Sequence, residues 1–461
     1  MTSATHRDAA EIGRTEQGPR PVPPLGDQRA AAGLSSVDTT LGNGLRVLAV
    51  RKANVPLVEL RLRVPFAGAD PLHSATAEVL AETILTGTAR RDRIEIDTEL
   101  ALIGGEMNAS VDPERLSVNG NALASGLPTL LDVLADVLTS ASYVDNEVGR
   151  ESVRLVERLA VSRTQPRVIA REALLKHVYL DHPVTKEVPE AEDVAKVTPD
   201  AVRALHASAV LPRGSVLVIV GDFDPATVVA DIEKALQGWQ SGDSASVLPE
   251  LPGVAGGDVL LVPRAGAVQA QIRLIAQALP RTDPRYAALQ LANLTYGGYF
   301  SSRLVENIRE DKGYTYSAHS GFEFTGATAT VGVDADTANE VTAAAVLETF
   351  YELGRLALVP PSAEEVESVR QYAVGSLLTS TASQAGLASQ LSALASSGLG
   401  AEWLAEHPGR LQAVTVDDVA QAALDFFAPT RFTGVVVGDA DSLAPRLAAL
   451  GGFTVGEPGE S

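Results

Sequence analysis

The strongest constraint on the fold is an internal repeat: patterns in the first half of the sequence recur in the second half about 210 to 217 residues later. An apolar strand pattern at 216–220 is followed by Gly-Asp, and the same pattern recurs at 433–437. Alternating apolar and polar residues at 58–64 recur at 268–276. Alternation of this kind predicts strands with one buried face. Because the offset stays nearly constant over several elements, we interpret the chain as two homologous halves.

Each half also contains a long apolar helix pattern after its alternating strand, at 74–85 and at 284–294. This combination predicts an antiparallel-rich sheet with helices packed on one face. The fold class is therefore α+β, with two homologous lobes. The predicted order along the chain is a disordered N-terminal tail, an N-terminal lobe, a linker, a C-terminal lobe and a C-terminal tail, at 1–37, 38–239, 240–257, 258–455 and 456–461.

The composition is that of an acidic globular protein. Of the 461 residues, 45% are hydrophobic and 21% are charged, with a formal net charge of −21. Neither nucleic acid nor an anionic membrane is therefore expected as a partner. No apolar run approaches the roughly 18 residues of a membrane span. Cysteine is absent and the first 30 residues contain no apolar signal region, so we expect a cytoplasmic protein without disulfides.

Residues 300–317, FSSRLVENIREDKGYTYS, form the most informative motif of the second half. Its helix pattern stops at Lys312-Gly313, a basic residue followed by a glycine, which is typical of helix ends. The residues after the glycine alternate as they do at the start of a strand. Arg309 in the last helical turn and Tyr316 just beyond it are therefore expected to converge on one point.

This segment resembles the SRL…IRE..G..Y signature in the second domain of insulinase/pitrilysin-type zinc peptidases, the family that includes mitochondrial processing peptidase. The resemblance extends over residues 38–455 and implies two α+β lobes that are joined by a linker and close like a clamshell. It also implies that Arg309 and Tyr316 bind the backbone of a peptide substrate and the oxyanion beside the zinc. In a structural alternative, Arg309 pairs with Glu306 or Glu310. Tyr316 is then a half-buried strand residue.

Peptidases of this family carry a zinc motif, H-x-x-E-H, on a helix of the first lobe. The matching stretch, 75–88, keeps the family's Gly-Thr ending, but Glu78 and Glu82 hold both histidine positions. Ala81 holds the position of the catalytic glutamate, and Glu157 matches the third zinc ligand. The resemblance therefore implies that this chain binds no metal of its own and lacks the general base that would activate water.

The three carboxylates leave two interpretations open. Glu78 and Glu82 lie four residues apart on one helical face, so with Glu157 they could hold a hard cation such as Mg²⁺ or Ca²⁺. In the interpretation that we favour, they are solvated or paired with arginines such as Arg150 or Arg154. The seven histidines provide no pair with the i, i+4 spacing of a helical zinc site.

The resemblance implies different roles for two chains. This chain is predicted to be the metal-free, substrate-binding subunit of a heterodimeric zinc metallopeptidase, inactive alone. It would supply Arg309 and Tyr316 to the zinc site of a homologous partner chain that carries H-x-x-E-H. One alternative is a purely structural subunit like the core proteins of respiratory complexes, which retention of the Arg/Tyr pair disfavours. The other is a self-sufficient peptidase with a carboxylate-bound metal, which Ala81 disfavours.

Overall fold

The computed structural model describes residues 34–456 except 241, 243, 244 and 327. Most of the predicted N-terminal tail, and all but the first residue of the predicted C-terminal tail, lie outside the described residues. The first strand begins at Ser36, two residues before the predicted start of the N-terminal lobe. It begins there because Ser36 already pairs with Val50 of the next strand.

The first half of the chain forms a six-stranded sheet. In chain order its strands are β1 (Ser36–Thr40), β2 (Arg46–Arg51), β3 (Leu57–Pro65), β4 (Glu106–Val111), β5 (Arg115–Leu123) and β6 (Val216–Gly221). Their order across the sheet is β1-β2-β6-β3-β5-β4. Neighbouring strands are antiparallel except β2 and β6, which are parallel.

The second half forms a sheet with nearly the same topology. Its strands are β7 (Val259–Pro263), β8 (Gln269–Gln277), β9 (Ala318–Thr325), β10 (Thr328–Ala338), β11 (Thr433–Gly438) and β12 (Phe453–Val455). Their order is β12-β7-β11-β8-β10-β9, so only the strand outside β7 departs from the arrangement of the first sheet. The repeated order confirms the predicted α+β fold with two homologous lobes.

Helices follow the strands in both halves. Those of the first half are α1 (His73–Thr83), α2 (Arg93–Leu102), α3 (Leu127–Ser140), α4 (Asp145–Ser162), α5 (Pro166–Tyr179), α6 (Ala191–Val194), α7 (Pro199–Ala209) and α8 (Pro225–Ala235). Those of the second half are α9 (Tyr286–Asn293), α10 (Arg303–Val305), α11 (Asn339–Leu358), α12 (Ala363–Ser380), α13 (Gln384–Ala395), α14 (Ala401–Ala413), α15 (Val416–Phe426) and α16 (Ala440–Ala448). The predicted helices correspond to α1 and α9.

One face of each sheet packs against helices of its own half. Along β3, Leu60, Leu62 and Val64 are buried in this core, as the alternating pattern predicts. Along β8, Ile272 and Leu274 are buried in the matching core of the second half. Burial of these apolar side chains is the main force that holds each sheet against its helices.

The opposite face of each sheet is covered by a helix from the other half. Helix α13 lies on the first sheet, where Leu387 and Leu391 pack in one cluster with Val218 of β6. Helix α5 lies on the second sheet, where Leu174 packs in one cluster with Val435 of β11. The central strands β6 and β11 are apolar without alternation, so their side chains on both faces of the sheet must be buried by other elements. We call α5 and α13 the crossing helices, because each packs on the sheet of the other half. They add a layer to each sheet that the repeat pattern alone does not predict.

The segment predicted as a linker, 240–257, is anchored at several points. Ser246 forms a parallel bridge with Phe66 at the end of β3. Leu251 and Val254 are 8% exposed and pack in the cluster that contains α5. Among the described residues, no helix combines the length and the apolarity needed to cross a membrane.

Candidate functional site

The motif at 300–317 folds as α10 followed directly by a π-helical turn, Glu306–Asp311. The helical segment ends at Lys312-Gly313, which confirms the prediction. Gly313 has a φ of 63°, a left-handed conformation that glycine adopts without the steric cost of a side chain. Helical hydrogen bonding ends here, and the chain is redirected toward the sheet.

The strand after this turn starts later than the sequence pattern predicts. β9 begins at Ala318, and the residues before it form a bend. The hydroxyl of Thr315 holds the bend, because it lies 2.6 Å from the carbonyl oxygen of Asp336 and 2.9 Å from that of Ser317. Tyr316, inside the bend, is 86% exposed. The prediction of a strand at this tyrosine is therefore wrong, because side-chain hydrogen bonding replaces the ladder here.

Two π-helical turns, Leu294–Gly298 and Glu306–Asp311, lie on either side of α10. Such turns are rare in proteins and are frequent at functional sites. The first turn is held by Tyr296, which is fully buried and donates its hydroxyl proton to the carbonyl of Thr349 at 3.2 Å. The second turn contains Arg309, so local helix geometry sets the direction of this side chain.

Polar contacts to the long helices α11 and α12 fix the motif in place. Arg303 donates to both carboxylate oxygens of Glu365, at 2.8 and 3.1 Å. The amide of Asn307 donates to Glu352 at 2.7 Å, and Glu352 is only 1% exposed. Lys312 donates to the amide oxygen of Asn307 at 2.6 Å. Charge-assisted hydrogen bonds of this kind hold the segment rigidly, which a binding site requires.

The structure brings Arg309 and Tyr316 together, and it adds a third residue that the sequence analysis missed. The Arg309 guanidinium carbon lies 4.9 Å from the ring centre of Tyr316 and 4.9 Å from that of Phe300. Two cation–π contacts restrain the guanidinium. Phe300 is 60% exposed. The only signal in the sequence is an aromatic residue directly before Ser-Ser-Arg-Leu.

The remaining contacts of Arg309 decide which of its nitrogens can bind a ligand. Its Nε lies 3.3 Å from a carboxylate oxygen of Glu310, so the Arg–Glu contact of the structural alternative is present. Within the described residues, its Nη nitrogens have no hydrogen-bond acceptor. Tyr316 is exposed, which disagrees with the half-buried strand tyrosine of the same alternative. The site therefore presents a planar guanidinium edge and a phenol hydroxyl side by side.

The positions that correspond to the zinc motif lie on α1 and α4, and their side chains differ in how far they are exposed to solvent. Glu78 and Glu82 are partly buried on α1, Ala81 is 6% exposed, and Glu157 is exposed on α4. Within the described part of the chain, no group of three or more histidine, cysteine, aspartate or glutamate side chains is placed to hold a metal ion. Carboxylates alone are also poor zinc ligands, so these residues do not fit a zinc ion.

An arginine occupies the space beside Glu82. Arg158 donates to Glu82 at 2.6 Å across the two helices. The predicted pairing of these glutamates with Arg150 or Arg154 is wrong. Each of these two arginines instead pairs three residues back along its own helix, Arg150 with Glu147 at 3.1 Å and Arg154 with Glu151 at 2.9 Å. The guanidinium of Arg158 supplies the positive charge that a bound cation would otherwise provide to Glu82.

Glu78 lines a cavity of about 780 Å³ on the first half of the chain. Burial and, to a smaller extent, the Glu82 carboxylate raise the pKa of Glu78 to about 7, although Arg158 acts in the opposite direction. His73 lines the same cavity. Its Nε2 donates to the carbonyl of Phe66 at 2.7 Å, and burial lowers its pKa. Near neutral pH, Glu78 is therefore only partly ionised, whereas the imidazole of His73 stays uncharged.

This environment makes stability depend on pH. The pKa of Glu78 rises from 4.5 to about 7 on folding, so the native state keeps a proton that the unfolded chain releases between these pH values. The free energy of unfolding should therefore fall as the pH rises from about 4.5 to 7, by at most about 1.4 kcal/mol per pH unit. Above pH 7 it should change no further through this group. Chemical denaturation at pH 5 and 8 should show that Glu78→Gln gains stability over wild type mainly at pH 8. The exposed Glu157→Gln should behave equally at both pH values; a parallel response of the two variants would contradict the expectation.

Together, the fold and the site define a class: a two-lobed, peptidase-like protein with a degenerate metal position and an arginine–tyrosine site in its second lobe. Comparison with known proteins agrees with this class. Residues 73–191 match the family model described as insulinase, peptidase family M16, and residues 196–372 match the model described as the peptidase M16 inactive domain. The chain belongs to this insulinase-like family, among the members that lack H-x-x-E-H.

Curated relatives are named as zinc proteases. The chain is 26% identical to an uncharacterized zinc protease of Streptomyces coelicolor over 61% of its own length and 63% of that protein, slightly less than two thirds. It is 25% identical to one of Mycobacterium leprae, over 64% of this chain and 68% of the relative. With one of Bacillus subtilis the identity is 24%, over 74% and 83%.

Solved structures share the fold. A peptidase M16 inactive domain from Pseudomonas fluorescens matches with a TM-score of 0.78 at 21% identity, over 88% of this chain and 98% of that chain. A protease from Helicobacter pylori matches with a TM-score of 0.78 at 16% identity, over 88% and 100%. The periplasmic protease PqqL from Escherichia coli matches with a TM-score of 0.74 at 18% identity, over 89% and 46%.

Proposed function

We propose that this chain is the metal-free, substrate-binding subunit of a two-chain zinc metallopeptidase, and that Arg309 and Tyr316 act at the zinc site of its partner. One observation carries the proposal. Arg309 contacts two aromatic rings, those of Phe300 and the exposed Tyr316, and its Nη nitrogens have no hydrogen-bond acceptor in the described structure. A structure built only for stability has no need to restrain an arginine in this way at the surface.

The chemistry of this pair suits a peptide bond under attack. The Arg309 guanidinium presents two parallel N–H groups to a peptide carbonyl or carboxylate, and a lysine does not reproduce this geometry. The Tyr316 hydroxyl is a donor for the negative charge that develops on the carbonyl oxygen. Neither residue activates water. In this proposal the partner's zinc and its general base perform that step.

The proposed partner is a homologous chain that carries an intact H-x-x-E-H sequence. Several relatives of this protein are named zinc proteases, so a zinc-bearing homologue is the natural source of the missing groups. Peptide is the proposed substrate because the arginine–tyrosine site recognises a carbonyl and its oxyanion. The cytoplasmic location expected from the sequence stays a prediction; one protein of similar fold is periplasmic.

A purely structural role is the second candidate, and one contact favours it. Glu310 lies 3.3 Å from Nε of Arg309, so part of the guanidinium is already paired within its own turn. An arginine that is fully neutralised in this way would serve only to hold the turn. The contact involves an exposed carboxylate and a single nitrogen, so its contribution to stability is small. It leaves the outer edge of the guanidinium open, which is the edge that the proposed function uses.

Reconstitution tests the proposal directly. The chain would be purified alone and together with a homologue from the same genome that carries H-x-x-E-H, and zinc content and cleavage of a peptide library would be measured. We expect less than about 0.1 zinc per isolated chain, no cleavage by either chain alone and a stable heterodimer with about one zinc. A large buried surface is typical of such assemblies.

Three outcomes of the same experiment would contradict the proposal. Stoichiometric zinc or peptide turnover with the isolated chain would identify it as a self-sufficient peptidase. Two separate peaks in size-exclusion chromatography with light scattering, at micromolar concentration, would show that the two chains do not form a stable complex. A homodimer that remains inactive with every zinc-bearing homologue would support the structural role instead.

A further inference from the structure

The close equivalence of the two sheets allows their residues to be compared position by position. Arg61 of β3 lies opposite Val218 of β6, and Arg273 of β8 lies opposite Val435 of β11. Both arginines also donate to the carbonyl of the preceding residue at 2.8 Å. Arg61 and Arg273 are therefore equivalent positions of the two lobes, and each faces the crossing helix of its sheet.

Two residues further along β3 and β8, the two lobes have side chains of very different chemistry. Ile275 in the second lobe is 3% exposed and packs in the apolar cluster that contains α5. The equivalent residue in the first lobe is Arg63, which lies beneath α13. Its Nε donates to the hydroxyl of Ser392 at 2.7 Å, and its Nη1 lies 3.3 Å from the hydroxyl of Ser396. Where the second lobe has a buried apolar side chain, the first lobe thus has a cation. The groups that this cation contacts, in α13 and directly after it, are neutral hydroxyls.

Arg63 also has no directly paired counter-charge. Within the described residues, no carboxylate lies within salt-bridge distance of its guanidinium, in a protein with a net charge of −21. Burial and, to a smaller extent, the neighbouring Arg115 lower the pKa of Arg63 to about 10, although the carboxylates of Asp112 and Glu114, which are paired with Arg115, act in the opposite direction. Removing a guanidinium from water without a paired anion is unfavourable, so such a residue is seldom kept for stability.

Two more arginines face the same space. Arg115 donates to the same Ser396 hydroxyl at 3.3 Å, although its charge is balanced by carboxylates of its own hairpin. Arg281, from the second half, lies 3.6 Å above the ring of Phe324 and has no carboxylate partner among the described residues. Cations from both lobes therefore meet at one place, and those of Arg63 and Arg281 are not neutralised.

These arginines line a cavity of about 760 Å³ between the two lobes. Among the described residues, its other charged groups are Glu114 and Glu250. Glu114 is already engaged, because it accepts from Arg115 at 2.5 Å and from the backbone N–H of Gly326. Glu250 is exposed. The cavity therefore has room for a small molecule and an excess of guanidinium donors at its wall.

We propose that this cavity is a binding site for a small oxyanion ligand, a molecule with a phosphate or carboxylate group, held between Arg63 and Arg281. Guanidinium groups bind such oxyanions through paired, charge-assisted hydrogen bonds. A ligand held from both sides would also link the first lobe to the second. The proposal is independent of the proposed proteolytic function, because it uses neither Arg309 nor Tyr316.

Calorimetric titration in low salt tests the site on the full chain, because salt screens such contacts. The probes are inorganic pyrophosphate and a short peptide with a free C-terminal carboxylate, compared with the same peptide as an amide. We expect at least one of the two anions to bind, and Arg63→Ile, which installs the residue of the second lobe, to weaken that binding roughly tenfold or more. Arg281→Gln should weaken it similarly. Exposed Arg431→Ile removes the same charge elsewhere and should leave it unchanged.

The arms of the experiment separate the ligand sources. Binding of pyrophosphate alone points to a phosphorylated small molecule, and binding of the free carboxylate but not the amide points to a peptide C-terminus. Thermal unfolding without ligand checks that the variants fold; if Arg63→Ile does not, Arg281→Gln decides. No binding of either anion at millimolar concentration, or equal binding by wild type and the folded variants, would overturn the proposal.

Discussion

Replacing Tyr316 by phenylalanine is expected to lower kcat of the assembled two-chain peptidase by about 10²-fold, because one donor to the oxyanion is removed. The ring and its contact with Arg309 remain, so folding and assembly should be unaffected. The tyrosine is 86% exposed, and its hydroxyl donates to no described residue. Steady-state kinetics on a peptide substrate, with size-exclusion chromatography of the same sample, would measure both effects.

Companion variants make this expectation specific. Arg309→Lys keeps the charge but loses the planar edge and should also impair turnover or peptide binding. Glu78→Gln combined with Glu82→Gln should leave activity nearly unchanged, because these carboxylates hold no catalytic metal in the proposed mechanism. If the glutamates proved essential and the Tyr316 and Arg309 variants remained fully active, the assignment of roles would be reversed.

Truncating Leu391 to alanine should destabilise the first lobe by about 2–5 kcal/mol, although the residue belongs to the second half of the sequence. Leu391 on α13 is fully buried against Val218 and Val220 of the first sheet. Its loss leaves a cavity between the crossing helix and that sheet. Hydrogen exchange followed by mass spectrometry should therefore show faster exchange in β3 and β6, far from the substitution in sequence.

A matched pair of controls tests the reciprocal packing. Leu174→Ala on α5 should have the opposite pattern, with faster exchange in β8 and β11 of the second sheet, because Leu174 packs there. Leu378→Ala, at a 58% exposed position of α12, should change stability by less than about 0.5 kcal/mol. Faster exchange confined to the half of the chain that carries each substitution would show that the lobes do not share their cores.

Much of the fold follows from local pattern. The repeated alternation around 58–64 and 268–276 predicts equivalent strands, and β3 and β8 occupy equivalent places in their sheets. Lys312-Gly313 marks the end of the motif helix because a helix end depends on a few neighbouring residues and on the left-handed conformation of Gly313. The motif also places Arg309 within reach of Tyr316, since both lie near that end.

Long-range packing decided the features that the sequence analysis missed. Glu82 pairs with Arg158, and not with Arg150 or Arg154, because the crossing of α1 and α4 selects which turn of the second helix faces the first. Phe300 contacts Arg309, which lies in a π-helical turn and not in a regular α-helix, so standard helical spacing does not predict the contact. Spacing along one chain contains no information about either contact.

The sequence by itself determined two homologous lobes, the loss of H-x-x-E-H and the nearness of Arg309 to Tyr316, because these depend on periodicity and on short stretches of chain. Tertiary structure alone decided that each sheet is covered by a helix from the other half, and that Arg63, which forms no salt bridge with any described residue, lies where the second lobe has buried Ile275. These features depend on residues that are far apart in sequence, such as Arg63 and Ser392 at a separation of 329 positions, and only folding brings such groups into contact.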